Sequence, residues 1–140
     1  MMPAPPDLIW RLITDWERQG DWMLEASDFV VISAAREGVG VEAEATIKIA
    51  GISTRDVVVV VGWEPGHRLA IRHEGWVSGV GEIFLTPVAA DRTHVFWREE
   101  LRPPLGVAGA VGMAIFKPLM KRIFQRDLGV LASLARASID

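Results

Sequence analysis

An α+β domain, with a curved antiparallel sheet wrapped around a long C-terminal helix, is the fold the sequence predicts. Three observations predict it. The middle of the chain alternates apolar and polar residues in runs of strand length, with connections short enough for hairpins. The last third switches to a helical repeat with one apolar face. Two shorter helical patterns precede the strands. With 140 residues, no repeat and no low-complexity linker, the chain reads as one domain, 1–140, long enough to bury a core.

Pro5-Pro6-Asp7 opens the first helix, because proline suits a first turn and an early acid suits the helix dipole. Leu8, Ile9, Leu12 and Ile13 continue it at helical spacing as far as Thr14. Asp15 caps a second short helix, Trp16 to Gln19, which Gly20 ends. Phe29 to Ala35 is rich in β-branched residues and forms the first strand, with a turn at Gly38 and Gly40. Val41, Ala43, Ala45, Ile47 and Ile49 then alternate with Glu42, Glu44, Thr46 and Lys48. Ile52 to Glu64 contains five consecutive valines, Val57 to Val61, which favour strand over helix. Pro65-Gly66 turns into Arg68 to Glu74, and Trp76 to Pro87 and Thr93 to Arg102 complete six strands. Pro103-Pro104 ends the sheet. Met113, Phe116, Met120, Ile123, Phe124, Leu131 and Leu134 then share one helical face, with Lys121, Arg122, Gln125, Ser133 and Arg136 mostly on the other. Pro118 inside this helix predicts a kink or a split near Ala114 to Phe116.

Composition excludes several functions. Half the residues are hydrophobic and about a quarter are charged, as in an ordered globular protein. The net charge of -3 comes from acids and bases mixed along the chain, without the basic stripe that nucleic-acid binding needs. The absence of cysteine removes disulfides, thiolate chemistry and cysteine-bound zinc. Met1-Met2-Pro3-Ala4-Pro5-Pro6 lacks the basic start and apolar run of a signal peptide. The longest uncharged apolar stretch, Leu105 to Phe116, has 12 residues, against the ~20 of a spanning helix. A cytoplasmic protein is expected.

Several short motifs occur in an order that resembles the START-like or Bet v 1-like (SRPBCC) superfamily, with its helix-grip fold, and within it the polyketide cyclase/dehydrase group. Ala4-Pro5-Pro6-Asp7-Leu8-Ile9-Trp10 resembles that family's first helix start, and Asp15 to Met23 its second helix with a tryptophan. Gly38-Val39-Gly40 precedes a strand, Pro65-Gly66-His67-Arg68-Leu69 resembles its proline turn, and Thr93-His94-Val95-Phe96-Trp97 resembles its late strand. The set spans nearly the whole chain. One departure is that the family normally has a β-strand before the first helix, whereas here only Met1-Met2-Pro3 precedes it. A six-stranded sheet with an unpaired edge invites association, which makes a homodimer an open expectation.

The resemblance implies that Trp97 points inward. Val95, Glu99 and Leu101 share its face, which places Glu99 beside an apolar cavity. A buried carboxylate needs a partner or a proton. Arg55, counted on the face of Val57, Val59, Val61 and Trp63, is a candidate partner; a rim carboxylate paired with an arginine is the plainer reading. His73 alternates with Leu69 and Ile71 and so is a cavity candidate, whereas His67 and His94 read as solvated. No histidine spacing suits a metal, and neither metal nor cofactor is expected. The candidate catalytic set is therefore Glu99, His73 and Arg55. The candidate ligand surface is Trp63, Trp76, Trp97, Val59, Val61, Ile71, Leu85, Met113, Phe116 and Met120, with Trp10 and Trp22 as structural wedges between the short helices and the sheet.

The resemblance implies binding or carriage of a hydrophobic small molecule (a polyketide, lipid or aromatic compound) between sheet and helix. A cyclase/dehydrase enzyme using Glu99, His73 or Arg55 is the alternative, and a regulatory or toxin-type interaction protein without turnover is the third reading. Carriage is placed first because few polar residues are expected to face inward; an enzyme requires at least two polar groups within hydrogen-bond reach inside the cavity. Lys117, Lys121, Arg122 and Arg126 make contact with anionic lipid a lesser expectation than a solvated cationic face.

Overall fold

The computed structural model describes residues 1–49, 51–75, 78–102 and 106–139, and for 106–116 the backbone only. Helix α1 (Pro6–Ile13) carries its proline and Asp7 in the first turn and buries Ile9, Trp10 and Ile13. A 3₁₀ turn, Trp16–Asp21, follows. Six strands then run as β1 (Ala26–Val31), β2 (Glu42–Ile49), β3 (Ile52–Glu64), β4 (Arg68–Glu74), β5 (Ser78–Ala89) and β6 (Arg92–Arg102). They form one antiparallel meander in sequential order, closed by the C-terminal helix α2 (Gly106–Ala137).

The expected bounds of β3 and β4 match, while β1 lies earlier than Phe29 to Ala35. Its register slips between Ser27 and Val30, where Asp28 takes φ +54°, and the chain leaves the sheet soon afterwards. Helix α2 runs unbroken through Pro118, so the expected split does not occur; the proline removes only one ladder bond from a 32-residue helix. Trp76, and the side chains of Met113 and Phe116, lie outside the described residues. Among those described, no helix is long and apolar enough to cross a membrane.

Bulges bend the sheet and decide which side chains face α2. One interrupts β3 between Val60 and Gly62, another β5 between Pro87 and Ala89. Before the β3 bulge, Val58 lines the concave side and Val60 joins the core; after it, Trp63 does. The extra residue reverses the parity that counting back from Trp63 assigns, so Val59 and Val61 belong to the opposite, outer face. Arg55 lies there too: its NH1 donates to Asp28 O (2.9 Å) and Thr46 Oγ1 (3.1 Å), and it pairs with Glu44. Gly62 suits the bulge, because a Cβ there would stand 2.8 Å from the Ala70 Cβ on the paired strand. Arg68 and Arg98 both bind Glu82 on the outer face, lowering its carboxyl pKa, and tie β4, β5 and β6 together.

In place of the strand that the resemblance sets before α1 there is a single bridge. Met2 N–H donates to Thr93 O (2.7 Å), and Thr93 N–H donates back to Met2 O (3.0 Å). The fully buried Thr93 hydroxyl donates to Ala4 O at 2.8 Å, which fixes the entrance to α1.

The core joins Ile9, Ile13, Trp16 and Trp22 to Val60, Leu69, Ile83 and Leu85 of the sheet and to Leu131 and Ala135 of α2. A polar clamp sits beside it. Asp127, with no exposed surface, accepts the Leu24 N–H at 3.2 Å, while Arg126 reaches both Asp127 and Glu25. Burial, followed by the hydrogen bond and charge of Asp127, pushes the Glu25 carboxyl up to about 8. Arg126 bridges the two acids while Asp127 takes the Leu24 N–H, and these contacts hold the helix to the loop before β1. Between its unfolded value of 4.5 and about 8, Glu25 binds a proton in the folded state that the unfolded chain has released. Stability from this group is therefore full below about 4.5 and is lost as pH rises through 8. Unfolding free energy should fall by roughly 3–5 kcal/mol across that window. Denaturant melts at stepped pH will measure it, and Glu25→Gln, which does not titrate, should flatten the slope.

Candidate functional site

Strands β4, β5 and β6 send alternate residues to the concave side. His73 follows Leu69 and Ile71 on β4, and Glu99 follows Val95 and Trp97 on β6. On the strand between them, His73 is paired with Gly79 and Glu99 with Gly81, and it is Gly81 that leaves their meeting open. A Cβ on Gly81 would collide with both carboxylate oxygens of Glu99. Through this gap His73 Nε2 and Glu99 Oε2 approach to 3.1 Å across two strand spacings. Trp97 Nε1–H donates to Glu99 Oε1 at 2.8 Å.

The Glu99 side chain is 6% exposed and that of His73 20%. Such burial of a carboxyl is tolerated because both oxygens have donors. With both oxygens acting as acceptors, Nε2 is the His73 nitrogen that donates to Glu99. Nδ1 makes no hydrogen bond among the described residues. The arrangement is an imidazole oriented from behind by a carboxylate, itself oriented by an indole.

Three spaces meet at this cluster. The innermost, about 60 Å³, is lined by Trp16, Trp22 and Trp97, by Leu69, Ile71 and Ile83, and by the polar groups of His73, Gln19 and Asp56. A cleft of about 350 Å³ lies between β6 and α2, bounded by Trp97, Glu99, Met120 and Phe124, with Lys117 and Lys121 at its rim. A third, about 750 Å³, opens at the strand ends beside Arg72, Arg102 and Lys117 and reaches both His73 and Glu99. His73 and Trp97 thus stand between the interior and the two open clefts. The Trp97 ring rests on Phe124 at 4.4 Å and edge-on to Trp22 at 5.8 Å.

Of the sequence candidates, the structure brings His73, Glu99, Trp97, Ile71 and Met120 to these spaces. Leu85 and Trp63 lie in the solid core, Trp63 against Trp10 and Trp16. Arg55, Val59 and Val61 lie outside the site. Sequence reasoning missed Gln19, Val58, Ile83 and Phe124, while Trp22 is the wedge it expected and also borders the inner cavity. It also missed Asp56, an inward acid beside which a Cβ on Gly75 would clash. Each inward carboxyl therefore faces a glycine of the neighbouring chain segment, and glycine inside a strand pattern is the signal that could have revealed this.

Gly81→Ala tests that gap. The new methyl should displace the Glu99 carboxylate and release the Trp97 indole N–H, shifting its nitrogen-correlated proton resonance towards that of Glu99→Ala. Net stability should fall by about 2–5 kcal/mol, since the loss of two hydrogen bonds to a buried carboxylate outweighs the alanine's smaller entropy loss.

A family model described as "Polyketide cyclase / dehydrase and lipid transport" matches residues 1–136. No curated protein sequence matches the chain significantly. Among solved structures, a Thermus thermophilus protein superposes with a TM-score of 0.84 at 21% identity, covering 99% of this chain and 94% of its own. The Zhui aromatase/cyclase of a Streptomyces species gives 0.80 at 18% identity, with 99% and 91% covered. A START superfamily protein from Mycobacterium smegmatis gives 0.76 at 14% identity, with 97% and 92% covered. At these identities the structural likeness establishes the helix-grip fold alone.

Proposed function

The chain belongs to the polyketide cyclase/dehydrase and lipid transport family, and from that premise we propose that it binds a hydrophobic carbonyl compound of polyketide type and moves protons on it with His73. The observation that carries this reading is the His73–Glu99 contact at the meeting point of the inner cavity and the open clefts. It supplies the two convergent polar groups that distinguish an enzyme from a carrier, and it reverses the order of expectation drawn from the sequence.

His73 Nδ1 takes the proton from a carbon next to a ligand carbonyl. The resulting enolate carbon bonds to a second carbonyl carbon of the same molecule, and that oxygen takes the proton back from the imidazolium. Loss of water follows the same route: His73 removes an α-proton, a C=C bond forms, and the hydroxyl leaves as water with the proton the imidazolium returns. No cofactor is needed for either step. Glu99 touches no reacting atom and acts as a positioning residue that holds the imidazole tautomer.

Carriage without turnover is the second reading, favoured by the apolar majority of the inner lining. Acetonaphthone in heavy water separates the two. The wild type should accelerate exchange of the ketone's methyl protons for deuterium, and His73→Gln should lower that rate by about 100-fold or more. Glu99→Gln should lower it by about tenfold, with the ketone's Kd nearly unchanged in both variants. Equal exchange in all three proteins, with binding intact, would leave the carrier reading.

A further inference from the structure

The two open clefts share Glu99, Leu101 and Lys117, so they are contiguous and Lys117 is the cation common to both. Lys121, one helical turn further on, borders the cleft beside β6, and Arg102 borders the one at the strand ends. The acids at these clefts already face partners. Glu99 accepts from His73 and Trp97, Glu74 pairs with Arg72 at 2.8 Å, and the charge of Glu100 acts on Arg98. Lys117, Lys121 and Arg102 form no ion pair among the described residues. Three positive charges thus stand over a floor of Trp97, Leu101, Met120 and Phe124. A cation beside an apolar wall keeps more of its field than one surrounded by water.

We propose that the junction of the two clefts at Lys117 is a subsite for a carboxylate or phosphate at the outer end of the bound molecule. The proposal rests on the reading of the site as one for a hydrophobic carbonyl compound, and it makes that compound an amphipathic anion. Its carbon frame lies on the apolar floor with the carbonyl end towards His73, and its charged end meets Lys117 in space that both clefts leave open. Lys121 and Arg102 add to the field from either side. All three cations reach solvent, so the attraction weakens with salt and gives a preference of moderate size. The same field draws an anion to the mouth of the site from solution.

Acetonaphthone, acetylnaphthoic acid and acetylnaphthyl phosphate share one ketone and differ in the group at the other end, which makes them the probes. In calorimetric titration at low salt, the wild type should bind at least one of the two anions about 5–20-fold more tightly than acetonaphthone. The anion that gains more identifies the group as carboxylate or phosphate. Lys117→Gln/Lys121→Gln should remove most of that advantage and leave acetonaphthone within about twofold. Lys48→Gln, at an exposed cation of β2 outside both clefts, should keep the advantage, and raising the salt to about 0.5 M should shrink it in the wild type. An advantage that is absent from the wild type, or that survives the double substitution, overturns the subsite while acetonaphthone binding upholds the parent reading. Equal losses for all three compounds in the double variant also overturn it. Failure of all three to bind the wild type overturns the parent reading and this subsite with it.

Discussion

The interior depends on the contact that helix α2 makes, among the described side chains, through Leu131 and Ala135. Both are fully buried, and they pack into the same core as Ile9, Ile13 and Leu69. The Asp127–Glu25 clamp lies one turn earlier on the same helix and adds a directional hold to a contact that hydrophobic burial alone would leave free to slide. Further towards the helix N-terminus, Met120 and Phe124 border a cleft instead of a packed layer. Closed and open ends are consequences of one geometry, and the candidate chemistry sits where the first gives way to the second.

Within that space, the arrangement of polar groups depends on what β5 omits. His73 and Glu99 sit on strands that are not neighbours, and an ordinary side chain at residue 81 would crowd the carboxylate that spans the distance between them. Omitting that side chain costs strand stability through backbone entropy, and it creates a short polar passage in an otherwise apolar wall. Trp97 completes the passage from below by occupying the carboxylate oxygen that His73 does not use. Two of the three groups come from one strand, two positions apart, so their relative placement follows from strand geometry.

Much of this was legible in the sequence. Alternation with Leu69 and Ile71 made His73 a cavity candidate, and the inward tryptophan that the family resemblance implies for Trp97 set the face of Glu99 on β6. The run of five valines in β3 carries no alternation, so its parity could only be borrowed from Trp63, and the bulge after Val60 made that loan misleading for Arg55, Val59 and Val61. Gln19 was hidden for a different reason: a 3₁₀ turn of six residues has no period from which a facing direction can be counted. The acid pair Glu25 and Asp127 lies 102 positions apart, and only the folded chain brings it together.

The β3 bulge also makes the strand a fragile counting device. Its two halves agree on which way is inward only because one surplus residue stands between them. Shortening the strand by a single residue at Val61 would leave every substitution matrix untroubled, yet it would rotate Trp63 away from Trp10 and Trp16 and into water. Among relatives of this chain, length should therefore be more tightly kept across that valine run than the identity of any valine in it.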